Sequence, residues 1–323
     1  HHSKCYHLGM GKNVSKSSLA RANQDRDYHI FEEYAYYLVS EARQKCANHI
    51  FKLGGNVYAF DSTTIDLCLS VFWWAKFRKN KGGIKVHTLY DVETQIPAFF
   101  HITEASVHDS KVMIEIPYEP SSYYIFDRGY NNFKMLYKIH QIEAYFVVRA
   151  KKNLGYKSIQ WKRRLPKNVL SDASVLLTGF YPKQYYPEPL RLVKYWDEEQ
   201  EREFTFITNA MHISALQVAE LYKNRWQVEL FFKWLKQHLK IKRFWGTTEN
   251  AVRIQIYAAI CTYCFLVAII QHDMKLDRST YEVLQIFSIS LTDKTHLKDL
   301  FNKTKFQHEK ERFGPNGPSL FNV

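Results

Sequence analysis

The chain has 323 residues, of which 46% are hydrophobic and 24% charged, so it is long enough for a large core and its composition excludes an intrinsically disordered protein. Its formal net charge of +13 favours a polyanionic partner such as nucleic acid. Five cysteines in this length do not indicate a disulfide framework, and the apolar run 256–270 is shorter than a membrane span, so no membrane partner is expected.

The N-terminal segment, residues 1–55, is predicted to be helical. Ser17 or Ser18 is a suitable N-cap for a short helix that ends at Asn23, and residues 28–48 have the apolar periodicity of a second helix. Two interpretations of the short helix stay open. It is either the second helix of a DNA-reading helix-turn-helix or a helix that only packs against the rest of the protein.

Residues 56–150 are predicted to form strands and helices. NVYAFD is typical of a buried strand that ends in a carboxylate, Asp61, and further strands follow it as an antiparallel meander. A helix is expected near residues 107–116. SSYYIFD is then a second buried strand that ends in a carboxylate, Asp127, and a helix over residues 131–142 and another strand follow it.

Residues 151–213 differ in character, because strand-like segments alternate with turns rich in proline, lysine and acidic residues, and a β-rich insertion is predicted. Residues 214–243 are predicted to form one long helix, since Ser214 is a good N-cap and no residue in the stretch breaks a helix. With a deeply buried helix that follows, it makes a helical region over residues 214–306. The polar residues 307–323 are expected to form a flexible tail.

One face of this long helix combines cations, aromatic rings and a single carboxylate. At about 100° per residue, the side chains on that face are Tyr222, Arg225, Trp226, Glu229, Lys233, Lys236 and Lys240. On a solvated helix, Glu229 pairs with Lys233 or Lys236, which is worth a few tenths of a kcal/mol. On a phosphate-binding surface, the cations hold a DNA backbone and the acid holds a divalent ion. The pattern by itself favours neither interpretation.

Further carboxylates decide between the two interpretations. Ligands gather at strand ends in an open sheet, so Asp61 and Asp127 can meet if their strands are adjacent, although each is also an acceptable turn residue. A helix packed across the sheet can add Glu229. Three crowded acids repel one another unless divalent cations neutralise them, and oxygen-only ligands favour Mg²⁺ or Mn²⁺.

Three other acids and two histidines compete for the same role. Asp66 lies in the middle of a strand and Asp91 precedes a turn, whereas Asp109 lies at a helix start, where N-capping is the simpler account. His101 and His108 are expected to be hydrogen-bonded structural groups, because no acid or cysteine lies at zinc spacing from them. None of the five is a predicted metal ligand.

These motifs resemble a known family. The signature Y-x(2)-R-x(3)-E-x(6)-K of bacterial insertion-sequence transposases of the insertion-sequence-four type is present as Tyr222, Arg225, Glu229 and Lys236. AFDST around Asp61 and IFDRGY around Asp127 are similar to the two aspartate motifs of the same DDE enzymes. The resemblance covers roughly residues 50–270 and includes a β-rich insertion between the second aspartate and the glutamate.

The resemblance implies an α/β fold, a ribonuclease H-like mixed sheet flanked by helices, and an enzyme that cuts DNA at the ends of an insertion element and transfers the strands to a target. It implies dependence on Mg²⁺, with Mn²⁺ as a substitute, and it implies that Asp61, Asp127 and Glu229 are the catalytic residues and metal ligands. The DNA-binding residues that it implies are Tyr222, Arg225, Trp226, Lys233, Lys236 and Lys240.

The implied partners are double-stranded DNA, as element end and as target, and a second copy of the chain on paired ends, in the bacterial cytoplasm beside the nucleoid. The departure from the family lies at the front, where related proteins usually carry a fuller DNA-binding region than 55 residues. The chain begins HHSKCYHLG without a methionine, and we expect an N-terminally truncated member. The alternatives are an inactive DNA-binding remnant and a ribonuclease H-like nuclease without strand transfer.

Overall fold

The structure is a computed structural model that describes most of the chain. The residues that it describes are 14–46, 51–78, 81–238, 244–266, 273–276, 282–283, 285–287, 296 and 299–301. Within them, a ten-stranded mixed sheet runs through the protein, with helices on both faces. None of the helices in these ranges has both the length and the apolar character that a bilayer crossing requires.

The first half of the sheet combines antiparallel and parallel pairing. β1 (Val57–Leu67) and β3 (Lys81–Asp91) are antiparallel, and β4 (Ile96–Glu104) continues the meander on the far side of β3. On its other side, β1 pairs in parallel with β5 (Tyr123–Phe126), which pairs in parallel with β6 (Tyr145–Arg149). The order β4-β3-β1-β5-β6 agrees with the ribonuclease H-like mixed sheet, and the predicted fold class is confirmed.

The second half extends the same sheet. β10 (Arg202–Thr208) is antiparallel to β6, and β9 (Leu190–Asp197), β8 (Val169–Leu177) and β7 (Tyr156–Trp161) follow outward by antiparallel pairing. The strands of the predicted β-rich insertion therefore lengthen the central sheet. At the opposite end of the sheet, the short β2 (Lys76–Arg78) pairs with β3.

Several of the helices begin at residues whose side chains cap them. In chain order they are α1 (Lys16–Asp25), α2 (His29–Lys45), α3 (Phe133–Gln141), α4 (Phe180–Tyr185), α5 (Ala215–Lys223), α6 (Trp226–His238) and α7 (Glu249–Cys264). The predicted caps of α1 are wrong, because Ser15 accepts the hydrogen bond from the Ser18 N–H and begins the helix earlier. Asn132 caps α3, and Ser214 forms a capping box with Gln217.

The helix that was predicted near residues 107–116 is a 3-10 helix, Asp109–Glu115. Its N-cap is His108, whose Nδ1 accepts a hydrogen bond from the Ser110 N–H at 3.2 Å. The expectation that Asp109 caps this helix is therefore wrong, since His108 already satisfies the donor. The carboxylate of Asp109 instead contacts the central sheet.

Both faces of the sheet are buried at β1, because alternate residues of this strand belong to two different cores. Val57 and Ala59 pack with residues of α2, α5, α6 and α7, whereas Tyr58 and Phe60 pack with residues of α3. All four side chains are at most 1% exposed. A strand that is buried on both faces is apolar throughout, so a carboxylate directly after such a run, as at Asp61, marks a change of environment.

The single long helix that was predicted over residues 214–243 is wrong, because the structure has two helices there. α5 ends at Lys223 and α6 begins at Trp226, with Asn224 and Arg225 in the turn between them. Residues 239–243 of the predicted helix lie outside the described residues, and so does the predicted tail.

Asn224 accounts for the break. Its side-chain Nδ2 donates to the Glu220 carbonyl at 2.9 Å and its Oδ1 accepts from Gln227 Nε2 at 2.9 Å. The N–H groups of Arg225 and Gln227 donate to the carbonyls of Tyr222 and Asn224, three residues back, so the turn is tighter than an α-helix. The side-chain hydrogen bonds of an asparagine compete with the backbone hydrogen bonds of a helix. Unlike proline or glycine, asparagine is not recognised as a helix breaker from the sequence.

Three of the predicted domain boundaries fall between elements, and the fourth, after residue 306, lies outside the described residues. Residue 55 precedes β1, residues 150 and 151 lie between β6 and β7, and residues 213 and 214 lie between β10 and α5. The division itself stays a prediction, and the sheet is continuous across the second of these junctions, because β6 pairs with β10.

Candidate active site

The two predicted aspartate ligands lie side by side on adjacent parallel strands. Phe60 of β1 pairs with Phe126 of β5, and the next residue on each strand is an aspartate, Asp61 and Asp127. The prediction that the first strand ends at Asp61 is wrong, because β1 continues to Leu67 with β3 as its partner. The pairing with β5 is what stops at Phe60, and this leaves both carboxylates at the carboxyl end of the parallel pair.

The helix α6 brings the third acid over the sheet. It packs against β1 and β3 through buried apolar side chains, namely Val228, Phe231, Phe232 and Leu235. These residues recur at the three- and four-residue spacings of one helix face. Glu229, in the first turn of α6, has a side chain that is 56% exposed.

One guanidinium links two of the three acids. Arg225 Nη1 donates to Asp61 Oδ2 at 2.7 Å, and Arg225 Nη2 donates to Glu229 Oε1 at 2.6 Å. The Arg225 side chain is only 16% exposed, and its buried Nε has no hydrogen-bond partner among the described residues. The turn between α5 and α6 thus holds Arg225 between the two carboxylates.

Tyr222 holds the remaining acid. Its hydroxyl donates to Asp127 Oδ1 at 3.0 Å, and its ring packs on Phe206 with the ring centroids 4.7 Å apart. Tyr222 and Arg225 are not on a solvated face of the helix, because α5 and the turn after it lie over the carboxyl ends of the strands. Both side chains therefore point into the acid cluster.

The other predicted DNA-binding residues have different surroundings. The Trp226 side chain is 49% exposed and Lys233 is also exposed. Lys236 Nζ donates to the Thr64 carbonyl of β1 at 2.7 Å, so it anchors α6 to the sheet. Lys240 lies outside the described residues.

The two aspartates differ in their ionisation. Burial raises the pKa of Asp61 to about 6, against the opposing effects of the Arg225 charge and the Ser62 N–H. The negative charges of Glu229 and Asp127 raise this pKa further. The raised pKa of Asp61 is therefore due first to its burial, and the charge of Arg225 is the largest effect that opposes it.

Asp127 behaves in the opposite way. Burial disfavours its charged form, but hydrogen bonds from the Arg128 N–H and the Tyr222 hydroxyl outweigh this effect. The charges of Arg225 and Arg149 act in the same direction, and the pKa of Asp127 falls below its ordinary value. Asp127 is thus held as a carboxylate.

The donor set fits a divalent cation. Two of the three carboxylates bind the Arg225 guanidinium, the third is bound by Tyr222, and burial raises the pKa of Asp61. Oxygen-only ligands suit Mg²⁺ or Mn²⁺. In the described part of the chain, no three metal-binding side chains surround a common point, and the guanidinium lies between Asp61 and Glu229. The acids therefore fit a cation once Arg225 has moved.

Two residues at this site were missed. Arg149 ends β6 beside the end of β5, so the strand-end rule that indicated Asp127 also indicates Arg149. Asp109 Oδ1 accepts a hydrogen bond from Ser62 Oγ at 2.8 Å, beside Asp61. No local pattern indicates that contact, because it joins residues from separate elements.

An open cavity of about 400 Å³ adjoins the acid cluster, between α5 and the hairpin of β9 and β10. Cationic and aromatic side chains line it on the side of the acids, namely Arg149, Tyr222, Arg225 and Trp226. Its wall also includes the acidic residues 197–199.

Residues 52–265 match the family model described as "Transposase DDE domain". "Putative transposase y4zB" of Sinorhizobium fredii is 37% identical over 232 residues, which are 70% of this chain and 63% of that protein. "Probable transposase for insertion sequence element IS5377" of Geobacillus stearothermophilus is 26% identical over 250 residues, 77% of this chain and 66% of that protein. The chain thus spans somewhat less than two thirds of the length of these relatives.

Among solved structures, the piggyBac transposase in a synaptic complex with hairpin DNA is similar at a TM-score of 0.42 and 11% identity, over 82% of this chain and 58% of that one. A likeness of this size carries no argument about the present protein. The family match does carry one, because it covers more than half of the chain and includes Asp61, Asp127 and Glu229. The family predicted from the sequence motifs is confirmed, and the chain belongs to the transposase DDE domain family.

Proposed function

We propose that this protein is a DDE-type DNA transposase that cuts DNA at the ends of an insertion element and joins the cut strands to a target duplex. The observation that carries the proposal is the convergence of Asp61, Asp127 and Glu229, from two strands and a helix, around the side chains of Tyr222 and Arg225. Family membership supports the reaction class.

We infer that Asp61, Asp127 and Glu229 hold Mg²⁺, with Mn²⁺ as a substitute. A divalent cation at these oxygens supplies a lowered pKa for an attacking water or 3′-hydroxyl and neutralises charge on the leaving oxygen. Tyr222 orients Asp127 by its hydrogen bond, in the manner of a residue behind a metal ligand.

Arg225 has two roles in this scheme. In the present structure, it balances the charge of Asp61 and Glu229. With a cation at Asp61 and Glu229, the guanidinium would no longer be needed to balance these carboxylates, and a DNA phosphate would be a suitable anion for it.

Double-stranded DNA is the proposed partner, and charge supports it beyond the acid cluster. Residues 151–167, which we name the basic edge, contain seven Lys or Arg residues and no acid. They include β7, the last strand of the sheet, whose Trp161 is 60% exposed. Cations beside an exposed aromatic ring suit a nucleic-acid surface, as do Trp226 and Lys233 near the acids.

We further propose that the protein acts as a homodimer on paired ends, because joining both ends of an element requires two sets of acids. Its proposed location is the bacterial cytoplasm beside the nucleoid, where the DNA substrate lies.

The function is tested with Glu229→Gln in a plasmid-nicking assay with Mg²⁺. We expect nicking to fall by at least about a hundredfold, because losing a residue behind a metal ligand already costs about 10–100-fold. Glu249→Gln is the matched control, since Glu249 lies in the first turn of α7, is 53% exposed and is bound by Arg253 at 2.8 Å. The control should nick as the wild type does.

Near-normal nicking by Glu229→Gln, with DNA binding retained, contradicts the proposal. Capture of 3′-ends into a second duplex separates a transposase from a nuclease without strand transfer. DNA binding by the wild type without Mg²⁺-dependent nicking would instead identify an inactive remnant.

A further inference from the structure

A connected series of polar contacts lies next to the acids and is not part of the predicted site. Lys85 of β3 and Ser62 of β1 both contact one oxygen of Asp109, which lies in the 3-10 helix. The distance from Ser62 Oγ to Asp109 Oδ1 is 2.8 Å, and the distance from Lys85 Nζ to the same oxygen is 3.1 Å. Lys85 Nζ also donates to the Val107 carbonyl at 2.8 Å.

Ser62 connects this series of contacts to Asp61. The Ser62 N–H donates to Asp61 Oδ1 at 2.8 Å, and the other carboxylate oxygen, Oδ2, accepts from Arg225. Ser62 follows Asp61 directly, so its backbone orientation decides where the N–H points. The side chain of Ser62 is anchored by Asp109, which therefore acts on Asp61 through one intervening residue.

The anchor lies where β1 has lost one of its neighbours. The pairing of β1 with β5 ends at Phe60, whereas Ser62 pairs only with His87 of β3. Successive side chains of a strand point to opposite faces, so Asp109 holds the strand from the face opposite to the Asp61 carboxylate. A strand that is paired on one side only has fewer backbone hydrogen bonds to fix its position. The hydrogen bond from the Ser62 side chain to Asp109 adds a constraint at this point.

The anchor is itself fixed. Lys85 is only 13% exposed, and it is bound both to Asp109 and to the backbone that leads into the 3-10 helix. Its positive charge balances the carboxylate of Asp109. A carboxylate without a partner would be costly at this partly buried position, and the contact with Lys85 holds Asp109 where it accepts from Ser62.

We propose that Asp109 is a positioning residue of the DDE site, which acts through Ser62 to hold the Asp61 carboxylate in the orientation that binds a divalent cation. The inference rests on the proposed function in so far as Asp61 is a metal ligand. Residues behind metal ligands orient them, and their loss costs about 10–100-fold in metal affinity.

The test measures Mn²⁺ binding to the full chain by calorimetry, with the melting temperature recorded for each variant. We expect Ser62→Ala to weaken Mn²⁺ binding by about tenfold, while Ser62→Thr, which keeps the hydroxyl, stays within about twofold of the wild type. Both changes are neutral in charge, so long-range electrostatics does not explain a difference. Ser110→Ala is the matched control, because the Ser110 hydroxyl contacts His108 and not Asp109.

Asp109→Asn should also weaken binding by about tenfold, and the double variant with Ser62→Ala should bind no more weakly than either single variant. Such non-additivity is expected of residues that act along one chain of contacts. If a variant also has a lowered melting temperature, the comparison of Ser62→Ala with Ser62→Thr decides the result. These two variants differ only by one methyl and one hydroxyl group at the same position.

The outcomes are distinguishable. If the wild type binds Mn²⁺, Asp61→Asn abolishes binding, and Ser62→Ala binds as the wild type does, the positioning role is overturned while the proposed function stands. Additive losses in the double variant also overturn it. If the wild type does not bind Mn²⁺ at all, both the inference and the proposed metal site fall.

Discussion

His87 of β3 is a fully buried histidine beside the Asp109 anchor. Its Nε2 lies 2.9 Å from Thr103 Oγ1, and its Nδ1 has no hydrogen-bond partner among the described residues. Burial lowers the pKa of His87 to about 4; the charge of Asp109 opposes this shift and the charge of Lys85 adds to it. The imidazole is therefore neutral in the folded protein above about pH 4.

This pKa predicts how stability depends on pH. The unfolded chain takes up a proton at the ordinary histidine pKa of 6.5, whereas folded His87 does so at about 4. The contribution of neutral His87 to the free energy of unfolding is therefore complete above pH 6.5 and is lost as the pH falls to 4. The difference of about 2.5 between the two pKa values corresponds to ~3 kcal/mol. Urea unfolding between pH 4 and pH 7 should show a smaller loss for His87→Gln than for the wild type.

His108→Gln serves as the control for this measurement, because His108 is not buried and caps a 3-10 helix. It should retain the pH dependence of the wild type. Parallel curves for His87→Gln and the wild type would show that His87 is not the residue that titrates.

At the scale of elements, the turn between α5 and α6 decides where Arg225 and Glu229 lie. A straight helix through Asn224 would give α6 a different direction relative to α5, and so a different position over the sheet. The hydrogen bonds of the Asn224 side chain to Glu220 and Gln227 maintain the turn. This turn is a structural condition for the convergence of the three acids.

Asn224→Ala tests that condition, with two effects expected together. Alanine is a better helix former than asparagine by several tenths of a kcal/mol. The substitution would therefore stabilise the protein if the Asn224 side chain had no role in the turn. The structure predicts the opposite, a loss of about 1–2 kcal/mol from two hydrogen bonds, and a loss of Mg²⁺-dependent nicking. Urea unfolding and the plasmid assay measure the two effects.

Lys223→Ala is the neighbouring control, since the Lys223 contact with Glu199 at 2.8 Å is an exposed ion pair. It should leave both quantities close to the wild-type values. A more stable and fully active Asn224→Ala protein would contradict the role given to the turn.

At the scale of the whole molecule, positive charge is concentrated at one end of the sheet as well as around the acids. The basic edge is separated from β5 by β6, β10, β9 and β8. With about 4.8 Å between strands, it lies roughly 24 Å from the strand that leads to Asp127. A duplex that is bound at the acids is long enough to reach the basic edge within one helical turn of about 34 Å.

Reversing two charges of the basic edge tests this contact. We expect Lys157→Glu combined with Arg164→Glu to weaken binding to duplex DNA and to reduce the slope of log affinity against log salt by about 2, since each lost phosphate contact removes about 0.9. Lys134→Glu with Lys138→Glu on α3 changes the net charge equally and is the matched control. Equal salt slopes for the two double variants would mean that net charge alone governs binding.

The sequence by itself identified the residues that indicate the family. It also placed each of the two aspartates directly after a buried strand. Strand and helix periodicities depend on residues a few positions apart, so the buried runs before Asp61 and Asp127 and the apolar face of α6 were legible without coordinates. The spacing of Tyr222, Arg225, Glu229 and Lys236 is likewise a local property. Arg149 was equally legible by the strand-end rule and was overlooked.

Only the tertiary structure decided which of these side chains meet and what each one contacts. The position of Arg225 between Asp61 and Glu229, and the contact of Asp109 with Ser62, join elements that are distant in the chain. The break at Asn224 depends on side-chain hydrogen bonds that compete with the helical ladder. Such contacts follow from the packing of strands and helices around the two cores, and no pattern of neighbouring residues encodes them, because the partners are brought together only when the sheet forms.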